Sequence, residues 1–137
     1  KPNKGLEEVV IKTVAAFGNA QGGSLLIGVR DTGEIGGLER DYACLGADQD
    51  KFQLHLRSLL GNALGQTFTT SKLRISFPVL GDTEICQLVV SPASRPLVVK
   101  VADKNGQPVE RFYVRNGNSS REMPLSEMPQ YIAERFG

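Results

Sequence analysis

Apolar residues near the start of the chain recur at helical spacing. Leu6, Val9, Val10, Thr13, Val14 and Phe17 fall on one stripe, which predicts an amphipathic helix over residues 5–20. Gly18 and Asn19 weaken that helix, and Gly22-Gly23 end it. Residues 24–29 (SLLIGV) then show no polar alternation, the pattern of a strand buried on both faces in the middle of a sheet. Asp31-Thr32-Gly33 reads as a turn, and residues 35–38 as a short strand returning beside the first. Phe52, Leu56, Leu59, Leu60 and Ala63 stripe a second helix over residues 48–64, with Asp48 as its N-cap and Gly65 as its stop.

The period then changes to two. Leu73, Ile75, Phe77 and Val79 alternate with Lys72, Arg74 and Ser76, predicting a strand over residues 72–79. Gly81-Asp82 turns it into a hairpin partner at residues 84–90. Pro92 and Pro96 bracket a bend. A second hairpin joins residues 97–101 to residues 109–115 through Asp103-Lys104-Asn105-Gly106. Residues 115–122 read as a polar loop. Ser126 is placed to cap a last helix reaching Phe136, with Pro129 in its first turn, where a missing N–H is tolerated. No repeat or low-complexity tract interrupts this order. The expected class is α/β in the α+β sense: a mixed sheet of five or six strands with about three helices on one side.

Composition narrows the class without naming a function. At 137 residues, with 40% hydrophobic and 23% charged positions, the chain suits a single globular domain spanning residues 1–137. It opens Lys1-Pro2-Asn3-Lys4-Gly5 without a Met, as expected of a piece of a longer protein. No apolar run approaches the roughly 20 residues of a spanning helix, and no secretory signal is visible, so no membrane partner is expected. Cys44 and Cys86 lack metal spacing and read as buried thiols of a reducing, cytoplasmic compartment. A net charge of +1 does not compel a nucleic-acid reading, so any basic surface must arise from how charges are distributed.

Candidate chemistry gathers near the C-terminal end. By strand alternation Arg111, Tyr113 and Arg115 share one face, with Phe112 and Val114 on the other. Arginines pair with phosphates and a tyrosine ring stacks on an unpaired base; an ordinary solvated sheet face explains the same pattern. Arg115, Asn116, Gly117, Ser119, Ser120 and Arg121 form a stretch able to cradle a phosphate through backbone N–H groups, hydroxyls and charge, although plain turns favour the same residues. Lys72, Arg74, Arg95 and Lys100 extend the basic surface if their strands lie beside the last one; exposed strand lysines also guard sheet edges. Gly22-Gly23 does not read as a nucleotide loop, since no Gly-Lys-Ser/Thr follows and the glycines end a helix rather than open one. His55, the single histidine, has no hydrolase partner at suitable spacing, and Glu7 and Glu8 suit the positive end of the first helix dipole. No catalytic residue, metal ligand or cofactor motif is assigned.

Four segments in order resemble the Schlafen AlbA family, a divergent Alba-like domain of bacterial regulators and Schlafen proteins. They are Val14-Ala15-Ala16-Phe17-Gly18-Asn19-Ala20-Gln21-Gly22-Gly23, then Leu25-Leu26-Ile27-Gly28-Val29-Arg30-Asp31-Thr32-Gly33, then Ile35-Gly36-Gly37-Leu38, and finally Phe112-Tyr113-Val114-Arg115-Asn116-Gly117-Asn118-Ser119-Ser120. The resemblance implies a nucleic-acid (DNA or RNA) partner, a transcription-regulatory or defence setting, and self-association as a homodimer. In the family's nucleases it implies a carboxylate cluster for a divalent metal, two of whose acids lie in a Glu-Ser…Glu-Phe-Lys segment upstream of the first helix. That segment is absent from this sequence, and Asp31, which matches the acidic turn, has Arg30 beside it. One carboxylate next to an arginine suits a hard cation poorly. The expected function is therefore a nucleic-acid-binding module contacting phosphates through Arg111, Arg115, Arg121, Arg74 and the loop, with stacking on Tyr113. A protein-interaction module, or part of a metal-dependent nuclease, are the alternatives.

Overall fold

The structure is a computed structural model that describes residues 4–28, 49–81 and 83–137. The predicted turn at Asp31-Thr32-Gly33, the return strand at 35–38, Asp48 and Cys44 lie outside the described residues. Helix α1 (Lys4–Asn19) leads into strand β1 (Gly23–Ile27). Helices α2 (Gln49–Leu64) and α3 (Gln66–Lys72) are separated by Gly65 alone. The strands follow as β2 (Leu73–Ser76), β3 (Val79–Leu80), β4 (Thr83–Glu84), β5 (Cys86–Val90), β6 (Val99–Ala102), β7 (Pro108–Arg111), β8 (Tyr113–Asn116) and β9 (Ser119–Glu122), and helix α4 (Met128–Phe136) closes the order.

The α+β class is the expected one, with the strands divided among four antiparallel ladders: β1-β5-β2, β3-β4, β6-β7 and β8-β9. The first hairpin keeps one register throughout. Leu73 faces Val90 and Ser76 faces Gln87, then the Ile85 N–H reaches the Pro78 carbonyl at 3.0 Å, and Val79 faces Glu84. Pro78 has no N–H to offer the ladder, so the strands are interrupted there while the pairing continues. Alternation carries the inward face through Leu73, Ile75 and Phe77 but not to Val79, which is exposed.

Three further expectations are corrected. Strand β1 leaves Leu26 exposed, so it is not buried on both faces as expected; among the described residues it pairs with β5, which lies between β1 and β2, and the predicted return strand at 35–38 lies outside them. Ser126 does not cap α4; Glu127 stands at its N-cap without a side-chain bond, although Pro129 does occupy the first turn. The polar stretch after Arg115 is a hairpin rather than a loop.

A cluster built from Val14, Phe17, Leu56, Leu60, Leu88 and Val99, with their buried neighbours, packs α1 and α2 against the strands. Full burial of each such side chain contributes about 1.5–3 kcal/mol. The C-terminus of α1 has no basic residue of its own in its last turn. Arg135 of α4 supplies one: its guanidinium donates to the carbonyls of Ala20 (2.8 Å), Gly18 (3.2 Å) and Ala93 (3.1 Å), while the Tyr131 hydroxyl donates to the Asn19 carbonyl at 2.5 Å. The orphan carbonyls of one helix end are thus satisfied by another helix, in the orientation the macrodipole favours.

Candidate nucleic-acid interface

The expected continuous strand through Arg111, Tyr113 and Arg115 is broken at Phe112. Successive strand residues point to opposite faces, yet Phe112 and Tyr113 are both buried. Both faces must therefore be covered at that point. Phe112 packs edge-on against Tyr131 of α4 with ring centroids 6.1 Å apart, whereas Tyr113 turns into the main cluster beneath α1. The chain accordingly exchanges its partner, from β6 before Phe112 to β9 after it.

Tyr113 is only 9% exposed, and the Lys12 ammonium lies 5.5 Å from its ring centroid. Lys12 also pairs with Glu8 at 3.0 Å, and the hydrogen bond its ammonium donates to that carboxylate holds the Lys12 pKa above its ordinary value. The ring is therefore not presented to an incoming base, which corrects the expectation of an exposed stacking platform.

The β8–β9 register divides the remaining residues. Tyr113 faces Glu122, Val114 faces Arg121, Arg115 faces Ser120 and Asn116 faces Ser119. Directly opposed residues of an antiparallel pair share a face. One face of the hairpin therefore carries Tyr113, Arg115, Ser120 and Glu122, and the other carries Val114, Asn116, Ser119 and Arg121. Arg115 and Arg121, expected to act together on one phosphate, lie on opposite faces.

The Arg115 guanidinium sits 4.9 Å from the Phe17 ring and donates to Ser120 Oγ at 3.0 Å, with its Nε buried and unpaired. This side chain thus holds the hairpin against α1. Arg121 is exposed, donates from Nε to Ser119 Oγ at 3.3 Å, and has Asn116 on the same face. No carboxylate among the described residues pairs with it. The tip is a two-residue turn, Gly117-Asn118, whose first residue has φ +64°, the conformation a II′ hairpin requires and a side chain disfavours.

The other basic candidates are dispersed. Arg111 pairs with Glu122 at 3.2 Å. Lys100 on β6 stands opposite Glu110. Arg74 is exposed on β2, which is laddered to β5 and not to β8. His55 meets Glu7 at 2.8 Å across α2 and α1, so Glu7 serves a helix-to-helix contact besides the helix dipole. No group of three His, Cys, Asp or Glu side chains gathers among the described residues; Asp31 lies outside them.

Sequence reasoning missed Asn19. Its side chain is fully buried, donates from Nδ2 to the carbonyls of Leu97 and Tyr113 (2.9 Å each), and accepts the Leu97 N–H at 2.7 Å. It thereby ties the start of β8 to α1 and to the bend before β6. The available signal was an Asn, a weak helix former, amid an otherwise apolar helix end.

A family model described as Schlafen, AlbA_2 matches residues 1–124. The chain belongs to that family. Its fold is also similar to that in the crystal structure of the DIP2311 protein from Corynebacterium diphtheriae, at a TM-score of 0.64 and 23% identity. That likeness covers 100% of this chain and 24% of the other, so the AlbA_2 chain spans about a quarter of the length of that protein. Among its described residues no helix is long and apolar enough to cross a membrane.

Proposed function

We propose that this AlbA_2 domain is a nucleic-acid-binding module of a larger regulatory or defence protein in the reducing cytoplasm, and that the outward face of the β8–β9 hairpin is its phosphate contact. The observation that carries this reading is Arg121: exposed, without a carboxylate partner among the described residues, and flanked by Asn116, Ser119 and the Gly117 tip. These groups offer a charged fork, a hydroxyl, an amide and open backbone, the mixture that phosphate recognition uses. Arg115 serves as the positioning residue that fixes the hairpin on Phe17. Arg111 and Lys100 contribute less, because Glu122 and Glu110 stand against them. The proposal includes a homodimer, the state an Alba-type fold implies, which sedimentation of the purified chain measures directly.

Binding to labelled single- and double-stranded DNA and RNA across a salt series tests it. Affinity falls with rising salt, and Arg121→Ala weakens it for every sequence while lowering the slope against log salt by about one phosphate's worth. Binding that ignores both salt and Arg121→Ala overturns the proposal. A second reading, a protein-docking module, is favoured by one feature: a shallow groove of about 320 Å³ lined by Phe112, Met123, Met128 and Leu125, the last 81% exposed. Salt-insensitive capture of a protein partner, lost on Leu125→Asp, is its signature.

A further inference from the structure

A second basic feature lies away from the hairpin. Between α3 and the bend joining β5 to β6 is a cleft of about 480 Å³, and none of the residues lining it is acidic. Lys72 enters it from the end of α3 and Arg95 from the bend. Neither forms an ion pair with a carboxylate among the described residues. Ser94, exposed, adds a hydroxyl to the same rim, whereas the Ser71 hydroxyl donates to the Thr67 carbonyl at 2.7 Å; the buried side chains of Phe68 and Leu97 make the floor apolar.

The walls are fixed rather than incidental. The Ser91 N–H donates to the Lys72 carbonyl at 2.8 Å, the Ala93 N–H to the Gly18 carbonyl at 2.8 Å, and the Leu97 N–H to Asn19 Oδ1 at 2.7 Å. These bonds anchor the bend on both sides of Ser94 and Arg95. Two cations on separate elements, with the Ser94 hydroxyl in the same lining and no acidic residue among the lining residues, attract an anion of high charge density. The apolar floor adds room for an attached ring, and the volume lies within the roughly 300–1,000 Å³ of small-ligand sites.

We propose that this cleft binds a phosphate monoester carrying an apolar or aromatic body, with Lys72 and Arg95 on the phosphate and Phe68 and Leu97 under the body. The inference goes beyond the hairpin reading and stands or falls separately from it. A free mononucleotide and the 5′-phosphorylated end of a nucleic acid present the same chemistry.

Titration of the whole chain with AMP, followed by amide chemical shifts and calorimetry, tests it. AMP perturbs Ser71, Ser94 and Arg95, and Lys72→Gln with Arg95→Gln weakens its binding about tenfold or more, the scale of losing charge-assisted contacts. Arg95→Glu alone, at an exposed position, does the same without risk to the core. Arg121→Ala leaves AMP binding unchanged, which keeps this site distinct from the hairpin. A short oligonucleotide bearing a 5′-phosphate that binds more tightly than its 5′-hydroxyl twin, and competes with AMP, identifies a nucleic-acid end as the source; equal binding of the twins with AMP still bound identifies a free mononucleotide. Failure of AMP to bind at millimolar concentration, or binding indifferent to Lys72 and Arg95, overturns the proposal.

Discussion

Replacing Asn19 with Ala removes three hydrogen bonds from a fully buried position. It leaves the Leu97 N–H, the Leu97 carbonyl and the Tyr113 carbonyl without the partner they had. A buried polar group that loses its partner costs about 1–3 kcal/mol, because the desolvation penalty is no longer offset. Relaxation and water entry reduce the sum, so the expected loss is about 3–5 kcal/mol, a large share of the roughly 5–15 kcal/mol that holds a domain folded. Urea unfolding measures it as a fall in midpoint at constant m-value. The amide orientation is decided by the Leu97 N–H, which needs an oxygen opposite it; Nδ2 must therefore face the two carbonyls. Asn19→Asp keeps the shape and removes both donors, setting a carboxylate against two carbonyl oxygens. It is expected to be at least as damaging as Ala at neutral pH and to recover part of the loss in acid, where the carboxyl regains one donor. A loss below about 1 kcal/mol for Asn19→Ala, or an Asp variant as stable as the parent, refutes the reasoning, since losing even a single buried bond costs that much.

Further outcomes follow from neighbouring contacts. Arg135→Ala removes the donors to the carbonyls of Gly18, Ala20 and Ala93 and lowers stability by about 1–3 kcal/mol, with amide exchange accelerating first at the end of α1; Arg135→Lys retains part of the effect. Gly22→Ala combines φ +84° with a Cβ placed 2.5 Å from the Val90 carbonyl oxygen, whereas Gly117→Ala, at φ +64°, meets nothing within 4 Å. Thermal melting should therefore show about 1 kcal/mol of loss for Gly117→Ala and clearly more for Gly22→Ala. Burial raises the Tyr131 pKa above 10.0 against the opposing influence of Arg135. A raised folded-state pKa means the contribution is complete below pH 10.0 and is lost as pH climbs through the folded value; Tyr131→Phe should flatten that alkaline part of the stability curve.

Helices α1, α2 and α4 and the hairpins built on β2–β5 and β6–β7 were legible because their periods are local, whereas α3, which holds Lys72 in a helix rather than in the expected strand, and the β8–β9 hairpin were not. The stripe of α1, the stripe of α2 and the alternation of Leu73, Ile75 and Phe77 each follow from side chains a few positions apart. The family was legible from short ordered segments, above all the Phe17-to-Gly23 run, whose glycines allow close packing: a Cβ on Gly23 would meet the Phe17 ring at 2.5 Å. What alternation cannot supply is the identity of the element covering each face. Phe112 and Tyr113 are adjacent and both buried because α4 covers one and α1 the other, a fact fixed by helices distant in sequence. The same gap explains why SLLIGV read as buried on both faces: continuous apolar sequence reports the side chains, not what covers each face, and Leu26 is exposed.

The position of Asn19 links this packing to the proposed interface. One amide holds Leu97, at the edge of the basic cleft, and Tyr113, at the root of the β8–β9 hairpin. Arg135 and Tyr131 bind the backbone carbonyls of the same helix end. Arg121 and Arg95 are therefore carried on two projections that share one polar junction, although they belong to different elements. A near-neutral chain needs little net charge to present two anion-seeking points if both are rigidly mounted, because affinity depends on local pairing and orientation more than on total charge. A change at the junction that leaves the domain folded, such as Arg135→Lys, is thus expected to weaken phosphate contact at both projections together, while Arg121→Ala and Arg95→Glu each weaken only their own.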